Sequence, residues 1–261
     1  IDSALTATIA VAALGANAVT GVLMPSRYSS LGSVGDAEQL AVYLGIATTT
    51  LPIEHMHTAF ERVIEEARLT AGGLTSENAQ ARLRGLLLMA LANQQGSLLL
   101  ATGNKSELAA GYSTLYGDMA GAVSVIGDIY KTDVWSMSTW INGNADACGF
   151  ETPPIPEASI TKAPSAELRP DQLDQDSLPP YDVLDSILRL HIDLDLGTDE
   201  IEDTVDCEEA LIAEVVKKVD QSQFKRDQAA VILKTSPRSF GRGRRMPIVM
   251  HRNWITIRET T

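Results

Sequence analysis

The chain has 261 residues, 44% of them apolar, which suffices for one large α/β domain or two small ones and excludes general disorder. Its formal net charge of -13 argues against broad nucleic-acid binding. No apolar run has transmembrane length and no charged-then-apolar leader opens the chain, so no membrane partner is expected; two cysteines far apart in sequence, Cys148 and Cys207, fit a reducing cytoplasm, the expected location.

The first residues, IDSALTATIAVAALG, read as an Ala-rich helix over residues 4–14. AVTGVLMP (residues 18–25) reads as a short strand, and SRYSSLGSVG as a polar loop at its end. DAEQLAVYLG (36–45) is a helix with an Asp start and a Gly stop, and ATTTLPI (47–53) is strand-like. HTAFERVIEEARL and ENAQARLRGLLLMALANQQ carry apolar residues at three- and four-residue spacing, so both are helices. SLLLAT (97–102) is the next buried strand, and DVWSMSTWI is a helix. A Pro-, Ser- and Asp-rich connection follows from about residue 150; a long irregular segment in a compact domain is usually functional or mobile. YDVLDSILRLHIDL and EALIAEVVKKVDQSQFKRDQA return to helical spacing. An acidic stretch over 167–209 precedes a basic tail from Lys225 to Arg252.

Strands alternating with helices predict a parallel sheet covered on both faces, with ligands beyond the carboxyl ends of its strands. ATGNKSELAAGYSTLYGD (101–118) places a burst of polar residues at such an end. Thr102 offers a hydroxyl there and Glu107 a metal-binding carboxylate; a plain capping network, with Asn104 or Ser106 capping the helix, explains the same residues equally well. Asp2 and Ser3 at a helix start suit phosphate and Mg²⁺ or an ordinary cap. Lys131 and Thr132 open another helix, where a lysine serves as a cation over phosphate or as solvated charge. Asn78 and Arg82 share a helix face. Lys225 in the basic tail reads as surface charge. Met89, Trp135 and Trp140 read as core, and Cys148 and Cys207 as buried thiols. His55, His57, His191 and His251 form neither a zinc pattern nor a triad, and no Walker-type loop is present.

Taken together, ATGNKSELAAGYSTLYGDMAG, YKTDVW, PSAELRPDQLDQDSLPPYDVLD, MPSRYSS, ENAQARLRG and FKRDQA resemble the synthetase domain of glutamine-dependent NAD⁺ synthetases over essentially the whole chain. IDSALTA resembles the end of that family's phosphate loop, so the chain is expected to be cut from a longer protein whose glutaminase domain lies upstream. The resemblance implies an adenine nucleotide α-hydrolase-like (Rossmann-like) fold over residues 1–261, a parallel sheet flanked by helices, as a homo-oligomer. It implies a ligase that uses ATP and Mg²⁺ to convert deamido-NAD⁺ to NAD⁺ through an adenylated intermediate, with ammonia drawn from glutamine. Carried over by position, Asp2 and Lys131 are catalytic, and Asp2 and Glu107 hold the metal. Asp2, Ser3, Arg27, Thr102, Lys131 and Ser165 face ATP, whereas Asn78, Arg82, Glu107, Asp118 and Lys225 hold deamido-NAD⁺. Residues 151–180 form a loop that covers the substrates. Two alternatives stand beside this reading: another ATP pyrophosphatase-type amide ligase, and a degenerate nucleotide-binding subunit.

Overall fold

The computed structural model describes residues 1–241 and 243–248. His251 and the end of the basic tail at Arg252 lie outside the described residues. The chain runs α1 (Asp2–Leu14), β1 (Thr20–Leu23), α2 (Leu31–Leu44), β2 (Ala47–Thr50), α3 (Glu54–Glu66), α4 (Leu74–Gln95), β3 (Leu100–Ala101) and α5 (Lys105–Ala110). It continues through β4 (Val123–Ser124), α6 (Lys131–Gly143), α7 (Glu157–Thr161), α8 (Tyr181–Leu188), α9 (Thr198–Glu202), α10 (Glu209–Gln221), α11 (Gln223–Arg226) and β5 (Val231–Ile232). All strand pairings are parallel, as the alternation predicts: β1 pairs with β2, and β4 lies between β3 and β5. Leu51 N donates to Leu23 O at 2.8 Å and Ala122 N to Leu99 O at 2.8 Å, so pairing extends past the short strands.

Two apolar clusters hold the helices. One gathers Leu108, Leu184, Ile187, Leu188, Val215 and Val219 from α5, α8 and α10. The other gathers Leu5, Val11, Leu40, Leu44, Val134 and Ile141 from α1, α2 and α6. Residues such as Leu5, Ile187 and Val219 are fully buried; each stabilises the fold by about 1.5–3 kcal/mol relative to exposure.

Several boundaries shift for identifiable reasons. Ser30 accepts from Ser33 N at 3.0 Å and caps α2, so LGSVG is the first turn of that helix rather than loop. α8 does not run on evenly to Leu194; a wider turn over Arg189–Asp193 closes it. The last predicted helix breaks at Ser222 into α10 and α11. Met89 and Trp140 are exposed rather than core, while Trp135 packs edge-on against Tyr181 with ring centroids 5.7 Å apart. Cys148 and Cys207 are only partly buried.

α4 presses against the turn at 114–118. A Cβ on Gly85 would stand 2.7 Å from Tyr116 O and 3.1 Å from Gly117 O. Gly85→Ala is therefore expected to lower stability by about 1–3 kcal/mol, reversing the gain that alanine brings to a helix interior. A denaturation midpoint unchanged or raised in this variant would remove the contact.

Candidate active site

The carboxyl end of β3 leads through Thr102 and Gly103 into α5, whose start is fixed by a reciprocal cap. Glu107 N donates to Asn104 Oδ1 at 2.9 Å, and Asn104 N donates to Glu107 Oε2 at 3.2 Å. Asn104 also reaches out of the helix: its Nδ2 donates to Asp2 Oδ1 at 2.8 Å, at the start of α1. Asp2 Oδ2 is paired with Lys131 Nζ, and Glu107 Oε1 lies 3.6 Å from the same ammonium. Asp2, Glu107 and Lys131, which are 105 or more residues apart across Asp2 and the other two, thus meet at the starts of α1, α5 and α6.

The electrostatics of this trio are unequal. Burial presses the Glu107 carboxyl up to about 8, with the Asp2 charge adding to it and Lys131 opposing. Burial also acts upward on Asp2, but the Lys131 charge and the hydrogen bonds from Lys131 and Asn104 leave it below its ordinary value. The Lys131 ammonium is nearly inaccessible, at 2% exposure, and burial acts to lower its pKa. Glu107 and Asp2 outweigh burial and hold it charged. It also sits over the Tyr181 ring, 5.4 Å from the centroid. The expectation of a solvated lysine is therefore corrected: Lys131 is a buried cation between two acids.

No three His, Cys, Asp or Glu side chains gather for a metal among the described residues. Asp2 and Glu107 remain a pair of carboxyl groups, and a bound cation would favour the charged form of the buried Glu107. That suits Mg²⁺, which commonly takes one or two carboxylates and completes its shell with phosphate oxygens and water.

The remaining predicted residues fall into groups. Ser3 is exposed on α1 beside Asp2, and Thr102 follows β3. Ser165 Oγ accepts from Glu167 N at 3.1 Å in the 151–180 segment. Arg27 Nε donates to Glu54 Oε1 at 2.9 Å and its Nη2 to Glu61 Oε2 at 3.0 Å, so its guanidinium is turned onto α3. Beneath that pair, buried His57 meets Ser76 Oγ at 2.9 Å and Glu61 at 3.7 Å. Burial depresses the His57 pKa, with Glu61 opposing. The unfolded state then takes up a proton first, so stability is expected to fall as pH drops below about 6.5, the unfolded value. Chemical denaturation from pH 7.5 to 5 checks this. The slope must be shallower in His57→Gln, and identical curves would exclude it.

Asn78, Arg82, Asp118 and Lys225 converge on one loop. Lys225 Nζ donates to Gly111 O and Ser113 O, both at 2.7 Å. Thr114 Oγ1 donates to Asn78 Oδ1 at 2.8 Å, Thr114 N to Asp118 Oδ1 at 2.7 Å, and Arg82 Nε to Leu115 O at 3.2 Å. Lys225 is thus half-buried scaffold rather than free surface charge. Asn78 and Arg82 also line an open groove of about 560 Å³ with Phe60, Leu74, Leu83 and Leu86.

The 151–180 segment is tied down. Gln80 Nε2 donates to Leu168 O at 2.9 Å, Asn142 Nδ2 to Ile155 O at 2.7 Å, and Tyr181 Oη to Asp174 Oδ2 at 2.9 Å. Glu167 Oε1 accepts from Ser33 Oγ at 2.6 Å and from Ser30 Oγ at 3.0 Å. Sequence reasoning left out Asp174, Tyr181 and Glu167 as individual residues, although each lies in a stretch whose composition marked it.

Residues 1–229 match the family described as NAD synthase. The chain belongs to the NAD synthase family. It is 48% identical over 252 residues to a glutamine-dependent NAD(+) synthetase of Thermotoga maritima, covering 95% of this chain and 42% of that protein. A solved glutamine-dependent NAD+ synthetase from Acinetobacter baumannii, in complex with ADP, is 41% identical with a TM-score of 0.59 over 95% of this chain and 43% of its own. The NMN synthetase of Francisella tularensis is 26% identical with a TM-score of 0.68, over 86% of this chain and 82% of its own. The chain spans less than half the length of the glutamine-dependent relatives it matches. The parallel sheets flanked by helices are those of this family, an adenine nucleotide α-hydrolase-like fold. Among the described residues no helix is long and apolar enough to cross a membrane.

Proposed function

We propose that this chain forms the amide of NAD⁺ from deamido-NAD⁺, ATP and ammonia. The observation that carries the reading is the charged Lys131 held between Asp2 and Glu107 at the strand ends, in a chain 48% identical to a glutamine-dependent NAD(+) synthetase. A carboxylate is a poor electrophile, so it must be activated. A nicotinate carboxylate oxygen attacks the α-phosphorus of ATP, the bond to the β-phosphate oxygen breaks, and pyrophosphate leaves. Ammonia then attacks the acyl carbon, loses a proton, and expels AMP.

Asp2 orients the Lys131 ammonium, whose charge offsets the charge growing on the phosphate oxygens. Asp2 and Glu107 would hold Mg²⁺, which when bound neutralises phosphate charge. Ser3, Thr102 and Ser165 face the nucleotide, and Arg27, paired with Glu54 and Glu61, reaches it only on leaving those carboxylates. Asn78, Arg82, Asp118 and Lys225 shape the 111–118 loop that receives deamido-NAD⁺, with Glu107 at its inner end. Residues 151–180 cover both substrates and keep water from the adenylate. Ammonia comes from a glutaminase domain upstream, in a cytoplasmic homo-oligomer; the exposed apolar Val63, Leu69, Leu74, Leu86 and Met89 on and between α3 and α4 favour self-association.

The test is AMP and NAD⁺ formation from Mg-ATP and deamido-NAD⁺, with ammonium or glutamine in parallel. NAD⁺ from ammonium alone is expected of this chain; ATP consumption without NAD⁺ would shift the reading to another amide ligase, and no AMP with either would sink it. A parallel arm with nicotinic acid mononucleotide addresses the second reading, favoured by the likeness to the Francisella tularensis protein. Lys225→Ala is expected to raise the KM for deamido-NAD⁺ on the order of 10-fold, with the KM for ATP unchanged. Equal KM values in variant and parent would remove that role.

A further inference from the structure

We infer that Asp185 is a positioning residue that sets Lys131 against Glu107, by supplying from α8 the N-terminal cap that α6 lacks. The inference rests on the proposed reaction only for its kinetic consequence. The residue that precedes α6 is Tyr130, which offers no capping side chain. The first-turn amides of any helix need acceptors from elsewhere. Here Lys131 N donates to Ser106 Oγ at 2.9 Å, and Thr132 N to Asp185 Oδ2 at 2.8 Å. Thr132 Oγ1 donates to the same Oδ2 at 2.8 Å. The other oxygen, Oδ1, accepts from Ser106 Oγ at 2.5 Å.

One carboxylate therefore serves two helix starts, α5 through Ser106 and α6 through Thr132. Lys131 and Glu107 are the neighbours of those two residues, and their 3.6 Å separation depends on how the two helix starts are held. Lys105 N also joins these segments, donating to Ile129 O at 2.9 Å. Asp185 is 1% exposed and Ser106 wholly buried, so water does not substitute for either partner. A negative group at the N-terminus of α6 is also favoured by the helix dipole.

The geometry requires an acceptor at both oxygens. Ser106 Oγ already accepts from Lys131 N and must spend its own proton on Oδ1. Asparagine at 185 keeps one acceptor for Thr132 but turns an amide N–H₂ toward Ser106, whose proton then has no partner. The fold keeps its volume while the link between α5 and α6 is lost.

The experiment compares Asp185→Asn and Ser106→Ala with the parent chain, by amide hydrogen exchange at Lys131 and Thr132 and by steady-state AMP formation. In Asp185→Asn, exchange at these two amides is expected to accelerate on the order of 10-fold while α8 and α10 keep their protection. AMP formation is expected to lose about 10²-fold in kcat, with both KM values within about threefold, because misplacement by about an ångström weakens the chemical step more than binding. Ser106→Ala, which removes both the α5 end of the link and the acceptor of Lys131 N, must move both readouts in the same direction, and exchange at Thr132, whose own acceptor it leaves in place, decides the matter if Asp185→Asn does not fold. Parental exchange at Lys131 and Thr132 in a folded variant would overturn the inference, as would acceleration spread evenly over all helices. A kcat and both KM values unchanged in the face of faster exchange would overturn it too. If the parent itself makes no AMP, the proposed reaction fails while exchange still decides the positioning.

Discussion

Lys131→Met is expected to lower AMP formation by about 10²–10³-fold, the loss typical of removing one preorganised group that stabilises transition-state charge. Methionine preserves the apolar stem, so packing against Tyr181 and Trp135 is retained and the change isolates the ammonium. That ammonium is buried, paired with Asp2 and 3.6 Å from Glu107, so its position is set before any nucleotide arrives. A group fixed in advance costs no reorganisation when charge develops, whereas a solvated lysine would have to be desolvated and oriented each time. Lys131→Arg is not expected to rescue, because a planar fork does not fit between Asp2 and Glu107 as a compact point charge does. Removing the cation also leaves two acids facing each other, so nucleotide affinity is expected to fall as well. Single-turnover AMP formation measured beside ATP binding separates the two effects. A folded Lys131→Met chain with parental single-turnover rate would exclude the role.

The polar burst after β3 shows how far residues alone carry the reading. Its position at a strand end was legible, and so was the choice between a site and a capping network. The capping network is present, and its two side chains reach beyond the helix. Asn104 and Glu107 form the cap, and the same two side chains face Asp2 and Lys131. Ser106 and Lys105 point inward instead, to partners such as Asp185, Asp128 and Asp193. Local pattern does not separate these fates, because the deciding partners lie far along the chain, 79 residues away for Ser106 and 88 for Lys105 and Asp193. β4 and β5 escaped notice because two residues carry no period. In α4 the spacing of apolar residues correctly marked a helix, but spacing does not say what covers each face, and Leu86 and Met89 face outward. The roles of Arg27 and Lys225 depend likewise on tertiary partners: Glu54 and Glu61 for one, the carbonyls of Gly111 and Ser113 for the other.

Lys105→Met is expected to destabilise the fold by about 3–5 kcal/mol, the cost of breaking a buried ion pair and leaving its partner charge uncompensated. The Lys105 side chain is wholly buried. Its Nζ lies 2.9 Å from Asp193 Oδ1, 2.7 Å from Ser236 Oγ, 3.0 Å from Arg238 O and 3.0 Å from Asp128 Oδ1. Asp128 is held from its other side by the amides of Thr235 and Ser236, each at 2.7 Å. The network thus fastens the segment after β5 to the start of α5, two residues from Glu107. Methionine fills the volume but offers no proton, so Asp128 and Asp193 lose their shared cation and Arg238 O its donor. Exposure decides the magnitude. Lys162→Met, which removes a lysine 41% exposed beside Glu167, is expected to cost no more than about 1 kcal/mol. In a double variant, Asp128→Asn should recover part of the Lys105→Met loss, since it removes the stranded charge. Urea denaturation of the four chains measures all of this. A Lys105→Met loss as small as that of Lys162→Met would show that the buried network contributes no more than a surface pair, and that the segment after β5 is held by its backbone contacts alone.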